Sequence, residues 1–152
     1  MDYKSLAALA QLCERLQKVR AFSFNASNGP GSQTNWRGHG RGEVEVTRIG
    51  AHILFAESAQ FTDGDGHKIE LQNRYRWTRC LEFVRLEHLR REEPVLLFNL
   101  VPVTEHGFRH QSAHLCGDDT YTAELLLHSD EIELIWQIHG PRKNERLHYH
   151  YW

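Results

Sequence analysis

Hydrophobic and polar residues alternate with a period of two over most of this chain, most plainly near its C-terminus. Over residues 132–139, Ile132, Leu134, Trp136 and Ile138 share one face and Glu133, Ile135, Gln137 and His139 the other, because successive side chains of a strand point to opposite sides. After a polar turn opened by Gly140-Pro141, Tyr149 and Tyr151 alternate with His148, His150 and Trp152. Neither strand pairs a purely apolar face with a purely charged one. That mixture suits a barrel whose interior holds polar groups beside aromatic rings, wide enough for a small ligand. The alternative is a sandwich edge whose rings only pack a core.

The rest of the chain repeats the alternation, with one exception. Residues 2–20 place Leu6, Leu9, Cys13, Leu16 and Arg20 at three- and four-residue steps, with Asp2 as the cap, which predicts a single amphipathic helix. Its apolar stripe is too short to stand alone, so it is expected across a barrel mouth or against the sheet. As a partner-binding or membrane-surface helix it would instead keep that face free. Strands are predicted over residues 22–26, 42–48, 52–61, 68–77, 80–89, 95–101, 111–116 and 121–128, before the final pair. Turn-forming runs separate them: residues 27–35, Ile49-Gly50, residues 62–67, a break over residues 90–94, and residues 117–120. Gly38, Gly40 and Gly42 point to close backbone approach or a bend. Turn signals every eight to twelve residues with no second helix mark a continuous antiparallel meander over residues 21–152, hence one domain.

Two turns superficially resemble ligand sites. The glycines of residues 29–31 precede no helix and do not make a phosphate-cradling loop. Asp63-x-Asp65-x-His67 lacks the later ligands and closing glutamate of a calcium loop and reads as a hairpin turn. Glu57 falls on the aromatic face of its strand, with Phe55 and Phe61.

Composition narrows the class. A chain of 152 residues with 40% apolar and 25% charged content can bury its own core, and a net charge of −2 gives no reason to expect nucleic acid. Cys13, Cys80 and Cys116 are odd in number and lie in no metal or redox spacing, which points to reduced thiols in a cytoplasmic protein. No run is apolar enough to span a membrane, and Gln11, Glu14 and Arg15 interrupt any signal-peptide core. No cofactor is required by the sequence. A homodimer stays open.

Three blocks carry a resemblance: Arg74-Tyr75-Arg76-Trp77; His114-Leu115-Cys116-Gly117-Asp118-Asp119-Thr120-Tyr121; and Trp136-Gln137-Ile138-His139-Gly140-Pro141-Arg142-Lys143 with a closing Tyr149-His150-Tyr151. In these the chain resembles an uncharacterised bacterial family, domain-of-unknown-function family 6314. The resemblance covers residues 22–152 and implies a calycin-like barrel, the architecture of lipocalins and fatty-acid-binding proteins, without an established chemistry. The N-terminal helix departs from that pattern, as does Phe98-Asn99 where a Phe-His motif is expected.

The chemistry these residues suggest is ligand binding. Trp77, Tyr121, Trp136, Tyr149 and Tyr151 would line a cavity, and Arg74, His114 and Arg142 would meet its polar end. Arginine's planar fork suits a carboxylate or phenolate. The plainer alternative has Asp119 bonding its own turn or pairing with Arg142, and Tyr121 closing the barrel. The same cavity would serve an acid/base enzyme of isomerase or dehydratase type, with His114 and Asp119 transferring protons and Tyr149 donating to an oxyanion. Cys116 and His114, two residues apart on one strand, make a poor nucleophile pair. His110, His114 and Cys116, or His148 and His150, have ligand types that suit zinc, and haem held by one histidine is a further reading. The expected protein is an antiparallel up-and-down barrel with one helix. It would bind a small, largely apolar or aromatic molecule with a polar or anionic head.

Overall fold

The computed structural model describes residues 1–34, 36–91 and 93–152 and, of His114, the backbone alone; Asn35 of the first long turn and Glu92 of the 90–94 break lie outside the described residues. Among the described residues one helix, α1 (Tyr3–Leu16), precedes eleven strands. These are β1 (Ala21–Asn28), β2 (Gly38–Ile49), β3 (His52–Asp63), β4 (Lys68–Arg79), β5 (Val84–Leu89), β6 (Pro94–Pro102), β7 (Gly107–His110), β8 (His114–Cys116), β9 (Asp119–Leu127), β10 (Ile132–His139) and β11 (Asn144–Tyr151). All pair antiparallel. Neighbours follow chain order from β1 to β7, then β9, β10 and β11, and β11 pairs back onto β1 to close a ring of ten strands. β8 stays outside the ring, paired only to the start of β9.

The expected strand over residues 111–116 divides here. β7 and β8 share the edge of β9, one against Glu124–Leu126 and the other against residues 119–121, with residues 111–113 between them. β7 itself has too few alternating positions to be read from sequence. In β6 a register shift leaves Leu97 as an extra residue between Leu96, opposite Glu87, and Phe98, opposite Leu86. Such a bulge turns two consecutive side chains inward, so Leu97 and Phe98 are both buried.

Asp2 caps α1, its carboxylate accepting from the Ser5 N–H at 2.7 Å. The buried stripe is Ala8, Leu9, Leu12 and Leu16, whereas Leu6 is exposed. The apolar face is therefore rotated from the expected one, and the helix stops short of residue 20. Arg15 donates to the Glu131 carbonyl at 3.2 Å, and Gln17 accepts from Arg48 at 3.2 Å, so the helix is tied to the β9–β10 and β2–β3 turns. Those turns share one end of the barrel. The helix plugs that end, and its apolar face is spent on the core, with Leu9, Leu12 and Leu16 wholly buried.

Candidate functional site

Inward positions of the ring mix aromatic and aliphatic side chains, and the aromatic ones cluster. Phe22, Phe24, Tyr149 and Tyr151 stack in a ladder across the β1–β11 seam, with centroids 5.1–6.4 Å apart. Phe24 lies on the backbone of Gly40 in β2, where a Cβ would run into its ring. Glycine is required there for close approach.

Toward the end away from the helix the packing opens into a cavity of about 260 Å³. Its apolar wall includes Phe24, Trp36, Leu71, Trp136 and Leu147, and its polar lining residues include Asn73, Tyr75, Tyr149, His88, Arg90, Tyr121 and Glu145. The Tyr75 ring stacks on His88, centroids 4.9 Å apart at 25°. Burial, with Arg90 adding to it, pushes the His88 imidazole down, so it is neutral at pH 7. Glu145 is held in the wall by the Thr34 hydroxyl, which donates to it at 2.6 Å. Trp136 lines the cavity, and its buried indole N–H has no partner among the described residues.

Below the cavity lies a buried carboxyl. The alternation of β3 brings Glu57 inward between Phe55 and Ala59, and it is 3% exposed. Its Oε2 accepts from the Tyr151 hydroxyl at 2.7 Å, and its Oε1 is buried without a partner among the described residues. Burial pushes its pKa up to about 8, against the Tyr151 hydrogen bond, so the carboxyl is neutral at pH 7. Burial likewise raises the phenols of Tyr75, Tyr149 and Tyr151, with Glu57 contributing to each. One protonated carboxyl and three protonated phenols thus share the barrel interior, and of these Tyr75 and Tyr149 reach the cavity lining.

Trp136, Tyr121 and Tyr149 stand on the cavity wall, with Cys116 at its exposed rim. Trp77 and Tyr151 are buried inside the barrel but beneath that wall. Arg74 is corrected to the outer face: Tyr75 and Trp77 take the inward positions of β4, and the parity of a strand sends Arg74 out. Arg142 lies exposed in the β10–β11 turn, away from the lining, and Arg90 is the arginine at the cavity. Asp119 faces Lys143 at 3.6 Å where Arg142 is the expected partner. The His110 ring bonds to the Ala123 backbone, and Cys116 is at the rim; the side chain of His114, common to the expected metal and acid/base sets, lies outside the described residues.

The polar residues Tyr75, His88, Arg90, Glu145 and Glu57 are among those the sequence reading leaves out of the site, as are Phe24, Trp36, Leu71 and Leu147 of the apolar wall. Only Glu57 carries a visible signal, a charge on an aromatic face.

A closed antiparallel barrel, plugged by a helix at one end and hollow toward the other, defines a calycin-like barrel protein. The chain belongs to the Family of unknown function (DUF6314), whose model matches residues 25–152. The helix α1 precedes the matched segment. No curated protein and no solved structure matches the chain.

Proposed function

We propose that the barrel binds a small, largely aromatic molecule with a polar head in the cavity at its open end. The observation that carries this reading is an aromatic-walled hollow of about 260 Å³ at the end of the barrel away from the helix, with Tyr75, Tyr149, His88 and Arg90 among its lining. The volume lies just below the roughly 300–1,000 Å³ of drug-sized sites and favours a molecule smaller than a haem. Tyr75, Tyr149 and neutral His88 would bond the head, and Arg90 would meet an anionic one.

Native mass spectrometry of gently purified, untagged protein tests for a resident molecule above 17.8 kDa. Titration calorimetry with 2-naphthol and 1-naphthoate then compares the protein with Leu71→Trp, which fills the cavity. Binding by the parent that is lost in the folded variant supports the proposal. Equal binding by both, or no binding and no excess mass, overturns it.

A second reading is favoured by Glu57. A carboxyl with a pKa of about 8 behind a ring of phenols is suited to proton transfer near neutral pH, as an isomerase or dehydratase requires. Tyr75 and Tyr149 would carry that influence to the cavity. A turnover lost in Glu57→Gln while naphthol affinity is kept would favour catalysis over carriage.

A further inference from the structure

On the outer face of the same hairpin, three histidines and two glutamates converge away from the cavity. β11 presents His148 and His150 on one side of the sheet, and β10 presents Glu133 beside them, with Cα positions of Glu133 and His150 directly paired. The Glu133 carboxylate accepts from His148 Nε2 at 2.5 Å through one oxygen and from His128 Nε2 at 2.8 Å through the other. The rings of His148 and His150 stack with centroids 4.6 Å apart. His150 Nδ1 donates to Glu131 Oε2 at 3.1 Å. All but His128 are partly buried.

We propose that Glu133, His148 and His150 form a site for a divalent transition-metal ion, Zn²⁺ by ligand type. Two imidazoles and a carboxylate are ligands this ion takes, and a solvent-facing fourth position leaves room for water. The ligating atoms lie within 4.8 Å of one another. Tetrahedral ligands at about 2.1 Å from zinc stand about 3.4 Å apart, so modest side-chain rotations complete the shell. A histidine, any residue, then a histidine on a strand is a natural pair of ligands, since it puts both rings on one face.

The outer partners fit as well. Bonding of His150 Nδ1–H to Glu131 fixes its tautomer and leaves Nε2 with a free lone pair, the carboxylate–histidine arrangement that orients a metal-binding imidazole. His148 takes part by moving its proton from Nε2 to Nδ1. His128 holds the second oxygen of Glu133 and fixes the carboxylate. Two glutamates balance the two charges of the ion. The more exposed group Asp63, Asp65 and His67 is engaged within its own turn, where Asp63 Oδ1 accepts from the N–H groups of Asp65 and His67 and its Oδ2 bonds the His67 ring.

Untagged protein, stripped with chelator, is titrated with ZnSO₄ by calorimetry and with Co²⁺ by visible absorption. One equivalent of Zn²⁺ and a tetrahedral cobalt band are expected, both lost in His148→Ala and His150→Ala. Glu131→Gln should keep the stoichiometry and weaken affinity about 10–100-fold. His67→Ala should change nothing. Circular dichroism checks that each variant is folded, and Glu133→Gln supplies a near-isosteric test if an alanine variant is not. No saturable binding, or binding unchanged in His148→Ala, His150→Ala and Glu133→Gln, overturns the site.

Discussion

The hydroxyl of Tyr151 donates to Oε2 of Glu57 at 2.7 Å, joining the closing strand β11 to β3 in the barrel interior. It is the only hydrogen bond recorded for that carboxyl among the described residues, since Oε1 is buried without a partner. Tyr151→Phe should therefore lower stability by about 1–3 kcal/mol, the cost of stranding a buried polar group, in urea unfolding at neutral pH. It should also move the Glu57 pKa further upward, because the lost bond holds it down.

Stability should fall as pH rises. The Glu57 pKa is about 8 in the fold against an ordinary 4.5, so between these values the native state binds the extra proton. Its contribution is complete below pH 4.5 and lost as pH climbs through 8, at up to about 1.4 kcal/mol per pH unit. Glu57→Gln should flatten this part of the pH profile and be more stable than the parent at pH 8. A parent profile that rises from pH 5 to 8, unchanged in the variant, would contradict the buried neutral carboxyl.

The plug should depend on Leu12 and not on Leu6. Leu12 is wholly buried and Leu6 is 39% exposed. Leu12→Ala should cost about 2–5 kcal/mol in thermal or urea unfolding, and Leu6→Ala less than about 0.5 kcal/mol.

Gly40→Ala should destabilise the barrel by about 1–3 kcal/mol, since its methyl enters the space of the Phe24 ring. With Phe24→Leu in the background the cost should shrink, because the ring edge is gone. A double-mutant cycle measures this coupling, and additivity would show that the contact is not the cause.

Among the arginines, only Arg90 should matter for an anionic ligand. Arg90→Ala should weaken 1-naphthoate severalfold while sparing 2-naphthol. Arg74→Ala and Arg142→Ala should leave both affinities and the melting temperature nearly unchanged, as both side chains are exposed away from the lining.

Much of the fold is legible in the sequence, because a strand's period of two is an integer and survives local irregularity. β3, β4, β10 and β11 all fall where their alternation puts them. A helix repeats every 3.6 residues, so Leu6 and Leu12 are both plausible on one stripe and only the barrel end decides between them. Arg74 shows the corresponding limit within strands. Alternation sorts residues into two faces, but calling Arg74 a ligand residue beside Trp77 sets two parities side by side. His88 and Arg90 are hidden for another reason: they lie at and just past the end of β5, and only ring closure sets that end across the cavity from β1, β10 and β11. Glu57 was visible as an anomaly, yet its partner Tyr151 lies 94 positions away.

The β1–β11 seam has a consequence for how the protein comes into being. On the edge away from β2, residues 22–28 find their partners in residues 145–151, so the hollow has no wall on one side until β11 has been synthesised. Every earlier nascent chain presents the unpaired edge of β1 and a row of bare aromatic rings. Such long-range closure makes for slow folding and a vulnerable interval on the ribosome.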